Sequence, residues 1–110
     1  MKLPNAAHAR VDRKKIIEYL LCATHPDGKS KAEFFGRFGF RVQEWKILAG
    51  SLLEHARSHS VVNAVDSTFG TRYTIDGPLD APDGRKPRVR SVWIVEKGST
   101  TPRLITAHPA

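Results

Sequence analysis

The chain has 110 residues, one cysteine and a formal net charge of +7, from eighteen Lys and Arg against eleven Asp and Glu. That length points to a single domain, 1–110, large enough to bury a core. The lone Cys22 excludes an intramolecular disulfide and a cysteine-cluster metal site, and the ordinary apolar content argues against global disorder. The basic balance selects an anionic partner, nucleic acid first and an acidic protein or membrane surface after it. No apolar run is long enough to span a bilayer, and "MKLPNAAHARVDRKK" lacks the apolar centre of a signal peptide.

In chain order, Asp12 is a good N-cap for a first helix. "DRKKIIEYLLCA" puts Ile16, Ile17, Leu20 and Leu21 on one stripe. Cys22 reads there as a small buried hydrophobe, and "HPDG" ends the helix because Pro26 disfavours the helical backbone at His25. A short second helix begins near Ser30, with Ala32, Phe35 and Phe38 turned inward and Gly36 and Gly39 weakening its end. The third, "RVQEWKILAGSLLEHARSH", carries a buried stripe of Val42, Trp45, Leu48 or Ala49, Leu52, Leu53 and Ala56. His55 and His59 read as surface residues of that helix.

Near His59 the pattern changes from helical spacing to alternating β-branched and aromatic residues. "SVVNAV", "TRYTI", "RVRSVWIVE" and "RLITA" read as strands, divided by turns at "STFG", "PDG" and "KGSTT". Successive strands with short turns predict an antiparallel sheet. The fold class is therefore α+β, with three helices (about 12–59) packed on one face of a four-stranded sheet (about 60–109). The other face is left open.

On that open face, Arg88 and Arg90 share one side of a strand, Arg72 projects from its neighbour, and Thr106 and His108 share a side of the last strand, with Arg103 on the opposite one. Arginine forks match phosphate geometry, so the face suits a nucleic-acid backbone; the same residues would also blunt strand edges. At the mouth of the second helix, His25, Lys29 and Lys31 sit beside free amides and suit a phosphate. Solvated lysines beside a helix-ending histidine are the simpler alternative. No metal-ligand spacing, Walker loop, nucleophile elbow or dinucleotide fingerprint occurs. Phosphodiester cleavage without a metal suits RNA, whose 2′-hydroxyl is its own nucleophile and needs only a base, an acid and cations on the phosphate oxygens.

The stretches "LPNAAHARVDRKKIIEYLLCATHPDGKSKAEFFGRFGF" and "GTRYTIDGPLDAPDGRKPRVRSVWIVEKGSTTPRLITAHP" resemble a family of small bacterial domains of unassigned function, found alone and as C-terminal toxin modules. Such modules are similar to the barnase, EndoU, colicin and RelE group of metal-independent ribonucleases. The resemblance implies helices followed by a four-stranded antiparallel sheet. It carries His25 and Lys31 onto an H-P-x-G-x-x-K-A motif and Thr106 onto an L-x-T-A motif. Cys22 departs from the family's polar residue, and His108 from its aromatic one.

The expected function is thus a ribonuclease toxin-like domain that cuts RNA or tRNA without a cofactor, in the cytoplasm of its own or a target cell. His25 would be general base or acid, Lys31 would stabilise the phosphorane, and Thr106 would bond the phosphate. Lys29, Arg72, Arg88, Arg90 and His108 would bind RNA, and Trp93 would stack on a base. The "EKGSTTP" turn leaves the sheet register open, so either Arg90 or Trp93 goes to the core, and size favours Trp93. An acidic antitoxin or immunity protein would suit so basic a toxin; the membrane is not among the expected partners. The alternative is a non-catalytic basic module that holds nucleic acid or docks a protein.

Overall fold

The computed structural model describes residues 1–110. Three helical segments precede four strands. The first, α1 (Arg13–Lys15), runs on as a π turn over Ile16–Leu20. Then come α2 (Lys29–Arg37), α3 (Trp45–Ser58), β1 (Val61–Ser67), β2 (Gly70–Pro78), β3 (Arg88–Glu96) and β4 (Arg103–Pro109).

The first helix stops short of the predicted HPDG turn. Its ladder widens so that the Leu21 amide bonds the Ile16 carbonyl at 2.8 Å, and the Cys22 amide bonds the Tyr19 carbonyl at 3.2 Å. Ile16 and Leu20 still reach the core, as their spacing requires. In α3 the inward stripe begins later than predicted. Val42 lies in a 3₁₀ turn and is exposed, while Leu48, Ala49, Leu52 and Ala56 are buried. His55, expected on the surface, is 2% exposed. It is buried because its ring takes part in a hydrogen-bonded chain through the core, described below.

The sheet has the order β1-β2-β3-β4, every pair antiparallel. Its inner face contributes Ile75, Val89, Trp93, Leu104 and Ala107 to a core shared with Phe35 and Leu52. Trp93 is fully buried and pairs with Leu104. This settles the register and removes Trp93 from the RNA-stacking residues, since a side chain of that size in the core has no free ring face. Arg90, three residues before Trp93, does not share its face: it pairs with His108 on the outer side, and Val92 pairs with Thr106.

A β-bulge between Val92 and Trp93 leaves Ile105 as the extra residue of β4. Strict alternation would place Arg103 opposite Thr106. The bulge instead pairs Arg103 with Ile94, on the Thr106 side, where its guanidinium donates to Glu96 Oε1 at 2.7 Å. The expected opposite placement of Arg103 is thereby corrected.

The first ten residues run across the molecule. The Met1 carbonyl accepts from the Val61 amide (2.7 Å) at the start of β1. At the far edge, the Arg10 amide donates to Pro102 (2.8 Å) and its carbonyl accepts from Leu104 (3.0 Å), adding a parallel bridge to β4. Between these ties, Leu3 is buried in the core.

Candidate functional site

Where the end of the first helix meets the β4 edge, Tyr19 is the centre of a cluster. Its hydroxyl lies 3.1 Å from Thr106 Oγ1. The His25 ring meets the Tyr19 ring edge to face, with centroids 5.1 Å apart. Lys15 Nζ and Lys31 Nζ each lie 5.2 Å from the centroid of the Tyr19 ring. Both ammonium groups are within the range at which a phenol face attracts a cation. The three residues expected to be catalytic, His25, Lys31 and Thr106, are therefore brought around one side chain that the sequence reading used only as part of a helix. The signal for Tyr19 was its place two residues after Ile17, on the side of the helix that does not lead into the core stripe.

The HPDG loop is folded onto this tyrosine. His25 Nδ1 accepts the Asp27 and Gly28 amides, each at 3.0 Å, and its carbonyl accepts the Lys29 amide at 2.9 Å. Lys31 Nζ donates to the Asp27 carbonyl at 3.0 Å. Gly28 is needed for close approach: a Cβ there would stand 2.2 Å from the Tyr19 carbonyl oxygen. The loop amides expected to cradle an anion are thus occupied by His25 itself. An Nδ1 that accepts two amide hydrogens carries no proton, so Nε2 holds the ring hydrogen and His25 is a donor. In this geometry it has no free lone pair, and the general-base role gives way to hydrogen-bond donation. Lys29 is exposed at the start of α2, outside the ring of groups around Tyr19.

His108 has the complementary arrangement. Its Nδ1 lies 2.9 Å from the Pro109 carbonyl, a pure acceptor, so Nδ1 holds a hydrogen, and in the neutral ring Nε2 keeps its lone pair. Two residues along β4 from Thr106, on the same face and ~7 Å away by strand geometry, it lines an open concavity of about 420 Å³. Arg72, Thr74, Arg90 and Thr106 line the same hollow. Arg72 and Arg88 are exposed and make no ion pair.

Arg90 is different. Its Nε and Nη2 grip the two carboxylate oxygens of Asp76 at 2.7 and 2.8 Å. The hydrogen bonds from Arg90 hold the Asp76 carboxyl below its ordinary range, ahead of the opposing effect of burial. One edge of the guanidinium is therefore already engaged, and only its outer edge remains for a phosphate.

A second polar group is internal. The Trp93 indole donates to Ser91 Oγ at 2.9 Å, and Ser91 Oγ lies 3.0 Å from His55 Nδ1. His55 Nε2 faces the carbonyls of Gly77 and Val89, each at 3.0 Å. Only one hydrogen order satisfies all of these: indole to hydroxyl, hydroxyl to Nδ1, and Nε2–H to the carbonyls. Burial pushes the His55 imidazolium pKa down, which fits the neutral ring. This chain positions β2 and β3 and does not open onto the concavity. No three His, Cys, Asp or Glu side chains converge as a metal-ligand set, and no helix is long and apolar enough to cross a membrane.

The architecture is thus that of an α+β domain with a basic, open sheet face and a tyrosine-centred polar cluster at its rim. The sequence pattern of the family DUF6883, a domain of unknown function, matches residues 2–110, and the chain belongs to that family. Among solved structures, it is similar to a chain of the contact-dependent growth inhibition toxin–immunity protein complex from Klebsiella pneumoniae 342. The two superpose with a TM-score of 0.72 at 22% identity, covering 91% of this chain and 98% of that one. At that identity the likeness is one of fold. The comparison with curated proteins returned no match.

Proposed function

We propose that the domain is a toxin-like ribonuclease that cuts RNA by internal transphosphorylation at the Tyr19–Thr106 rim of the sheet. The observation that carries this reading is the hydroxyl pair of Tyr19 and Thr106 at 3.1 Å, ringed by His25, Lys15 and Lys31. Two hydroxyl groups, an N–H donor and two cations suit a pentacoordinate phosphate, whose negative charge builds on its non-bridging oxygens.

In the step proposed, the RNA 2′-oxygen attacks phosphorus, a P–O2′ bond forms and the P–O5′ bond breaks. Nε2 of His108 takes the 2′-hydroxyl proton, and the Tyr19 hydroxyl gives its proton to the departing 5′-oxygen. Lys15 and Lys31 favour the negative charge left on the tyrosine. Thr106 and the Nε2–H of His25 bond the non-bridging oxygens. Arg72 and Arg88, with the outer edge of Arg90, hold flanking phosphates.

Further support comes from the likeness to a chain of a toxin–immunity complex and from the +7 charge. On this reading the partners are RNA or tRNA and an acidic immunity protein or antitoxin, and the site of action is a cell's cytoplasm. A second reading, a basic module that binds without cutting, is favoured by the closed Asp76–Arg90 pair, which takes one cation out of the proposed clamp.

The test is incubation of the purified protein with total RNA and with tRNA in EDTA, beside Tyr19→Phe and His108→Ala. Products with cyclic-phosphate ends that vanish in both variants support the nuclease. RNA bound but intact with the native protein selects the second reading.

A further inference from the structure

The two edges of the sheet are treated differently. The β4 edge is bridged at its start by Arg10, which bonds Pro102 and Leu104, and the strand itself carries Arg103 and Pro109. The β1 edge is bare. A β-bulge interrupts its pairing with β2 at Val62, and from Val61 to Ser67 it carries neither lysine, arginine nor proline, residues that commonly guard an edge. Only the Val61 amide at its start is taken, by Met1. The one charged residue, Asp66, accepts the Thr71 hydroxyl at 2.7 Å. Val62, Val65 and, in the adjoining turn, Phe69 are 56%, 51% and 76% exposed. An uncovered strand with free backbone groups and apolar side chains is a template for another strand.

What pairs with it is set by charge. Val65 lies directly opposite Arg72, which is exposed and makes no ion pair. Asn63 and Val65 line the same concavity as Arg72 and Arg90, so the outer face beside β1 is cationic. A strand added at this edge hangs every second side chain over that face. A second copy of this chain would bring its own +7 charge to the contact, which like-charge repulsion opposes.

We propose that the β1 edge, Val62–Ser67, is a strand-addition site for an acidic protein segment whose alternate carboxylates face Arg72. The partner's backbone completes the free edge, and its apolar side chains meet Val62 and Phe69. The edge borders the hollow that also holds Thr106 and His108, but strand addition is read at the β1 amides themselves, so it is measured whether or not the domain cuts RNA.

The experiment is an NMR titration of the ¹⁵N-labelled full chain with a capped eight-residue peptide of alternating Val and Glu, beside a Val and Lys peptide. The expected result is that the amides of Val62–Ser67 shift and gain exchange protection with the Glu peptide, and that the Lys peptide binds at least about tenfold more weakly. Val62→Lys with Val65→Lys, both at exposed positions, abolishes the response, and Arg72→Glu reverses the preference between the peptides. The proposal is overturned if β1 does not respond, if the two peptides bind alike, or if the β1 amides shift with the protein's own concentration, which would make the occupant a second copy.

Discussion

The hydroxyl oxygens of Tyr19 and Thr106 lie 3.1 Å apart although 87 positions separate them in the chain. One comes from the end of the first helix and the other from the last strand, so the contact exists only when the helical layer is docked on the completed sheet. Tyr19→Phe keeps the ring against which His25, Lys15 and Lys31 pack and removes only the hydroxyl. RNA cleavage is expected to fall by about 10²-fold or more, with stability lowered by about 1 kcal/mol. Cleavage rates on tRNA and urea unfolding read the two effects separately. Thr106→Val acts on the same bond, and the double variant is expected to be little worse than either single one.

The two histidines of the site carry opposite tautomers, and their substitutions are expected to differ in kind. His108→Ala removes a free lone pair at an open rim. It should reduce cleavage by roughly 10²-fold or more while leaving unfolding nearly unchanged. His25→Ala leaves the Asp27 and Gly28 amides without their acceptor, so it should loosen the HPDG loop as well as slow the reaction. Amide hydrogen exchange at Asp27 and Gly28 checks the difference. Equal protection in both variants would contradict it.

Two glycines at opposite ends of α2 give a contrast in stability. At Gly28 a methyl group collides with the Tyr19 carbonyl, so Gly28→Ala is expected to destabilise by about 1–3 kcal/mol and to displace His25 from the tyrosine. At Gly36, inside α2, a Cβ meets nothing. Gly36→Ala should therefore stabilise by about 0.4–1 kcal/mol. Thermal and urea unfolding of the two variants test both signs.

Stability should also fall on the acid side in two stages. His55 is held neutral by burial, with its pKa below the ordinary 6.5. The unfolded chain therefore takes up a proton at that position first, and stability is full above about pH 6.5 and declines as the pH falls below it. The lowered carboxyl pKa values of Asp76 and Glu96, caused first by the hydrogen bonds from Arg90 and Arg103, have the same sign at lower pH. Their contribution is present above about pH 4 and is lost as the pH falls through the folded values. Urea unfolding at a series of pH values should show both declines, and His55→Gln should remove the upper one.

Asp76 also restrains Arg90 from outside contacts. Asp76→Asn should release one edge of the guanidinium and tighten RNA binding, with a steeper dependence on salt, whereas Arg72→Ala should reduce the salt slope by about one phosphate contact. Binding of a non-cleavable RNA at several salt concentrations measures both. A weaker affinity for Asp76→Asn would mean that the pair holds Arg90 in its binding orientation.

Much of the architecture was legible because side-chain periodicity is local. β3 was read from Arg88 to Glu96 by its alternation, and the stripe of Leu48, Leu52 and Ala56 identified α3. What escaped depends on contacts between distant residues. The bulge at Ile105 is set by how β4 closes on β3, so alternation alone misplaced Arg103. Burial of His55 depends on Ser91, Gly77 and Val89, and no helical pattern carries that information. For the site, His25, Lys31 and Thr106 could be singled out by chemistry and motif, whereas Tyr19 was marked only by its place off the core stripe, and its contact with Thr106 follows from how the first helix docks on β4. Arg90 was correctly placed on the outer face, but its pairing with Asp76 followed only from the β2–β3 register.

The opening segment, tied to β1 through Met1 and to β4 through Arg10, gives the domain an uneven response to force. Tension applied at the N-terminus reaches the Met1–Val61 contact first. It is passed on to Leu3 in the core and to the Arg10–Leu104 bridge only after that contact breaks. The sheet is thus spared the first part of any pull from that end, and the helices and strands come apart only once the strap has peeled across the molecule. A load applied at the C-terminus has no such strap in its path and meets β4 directly.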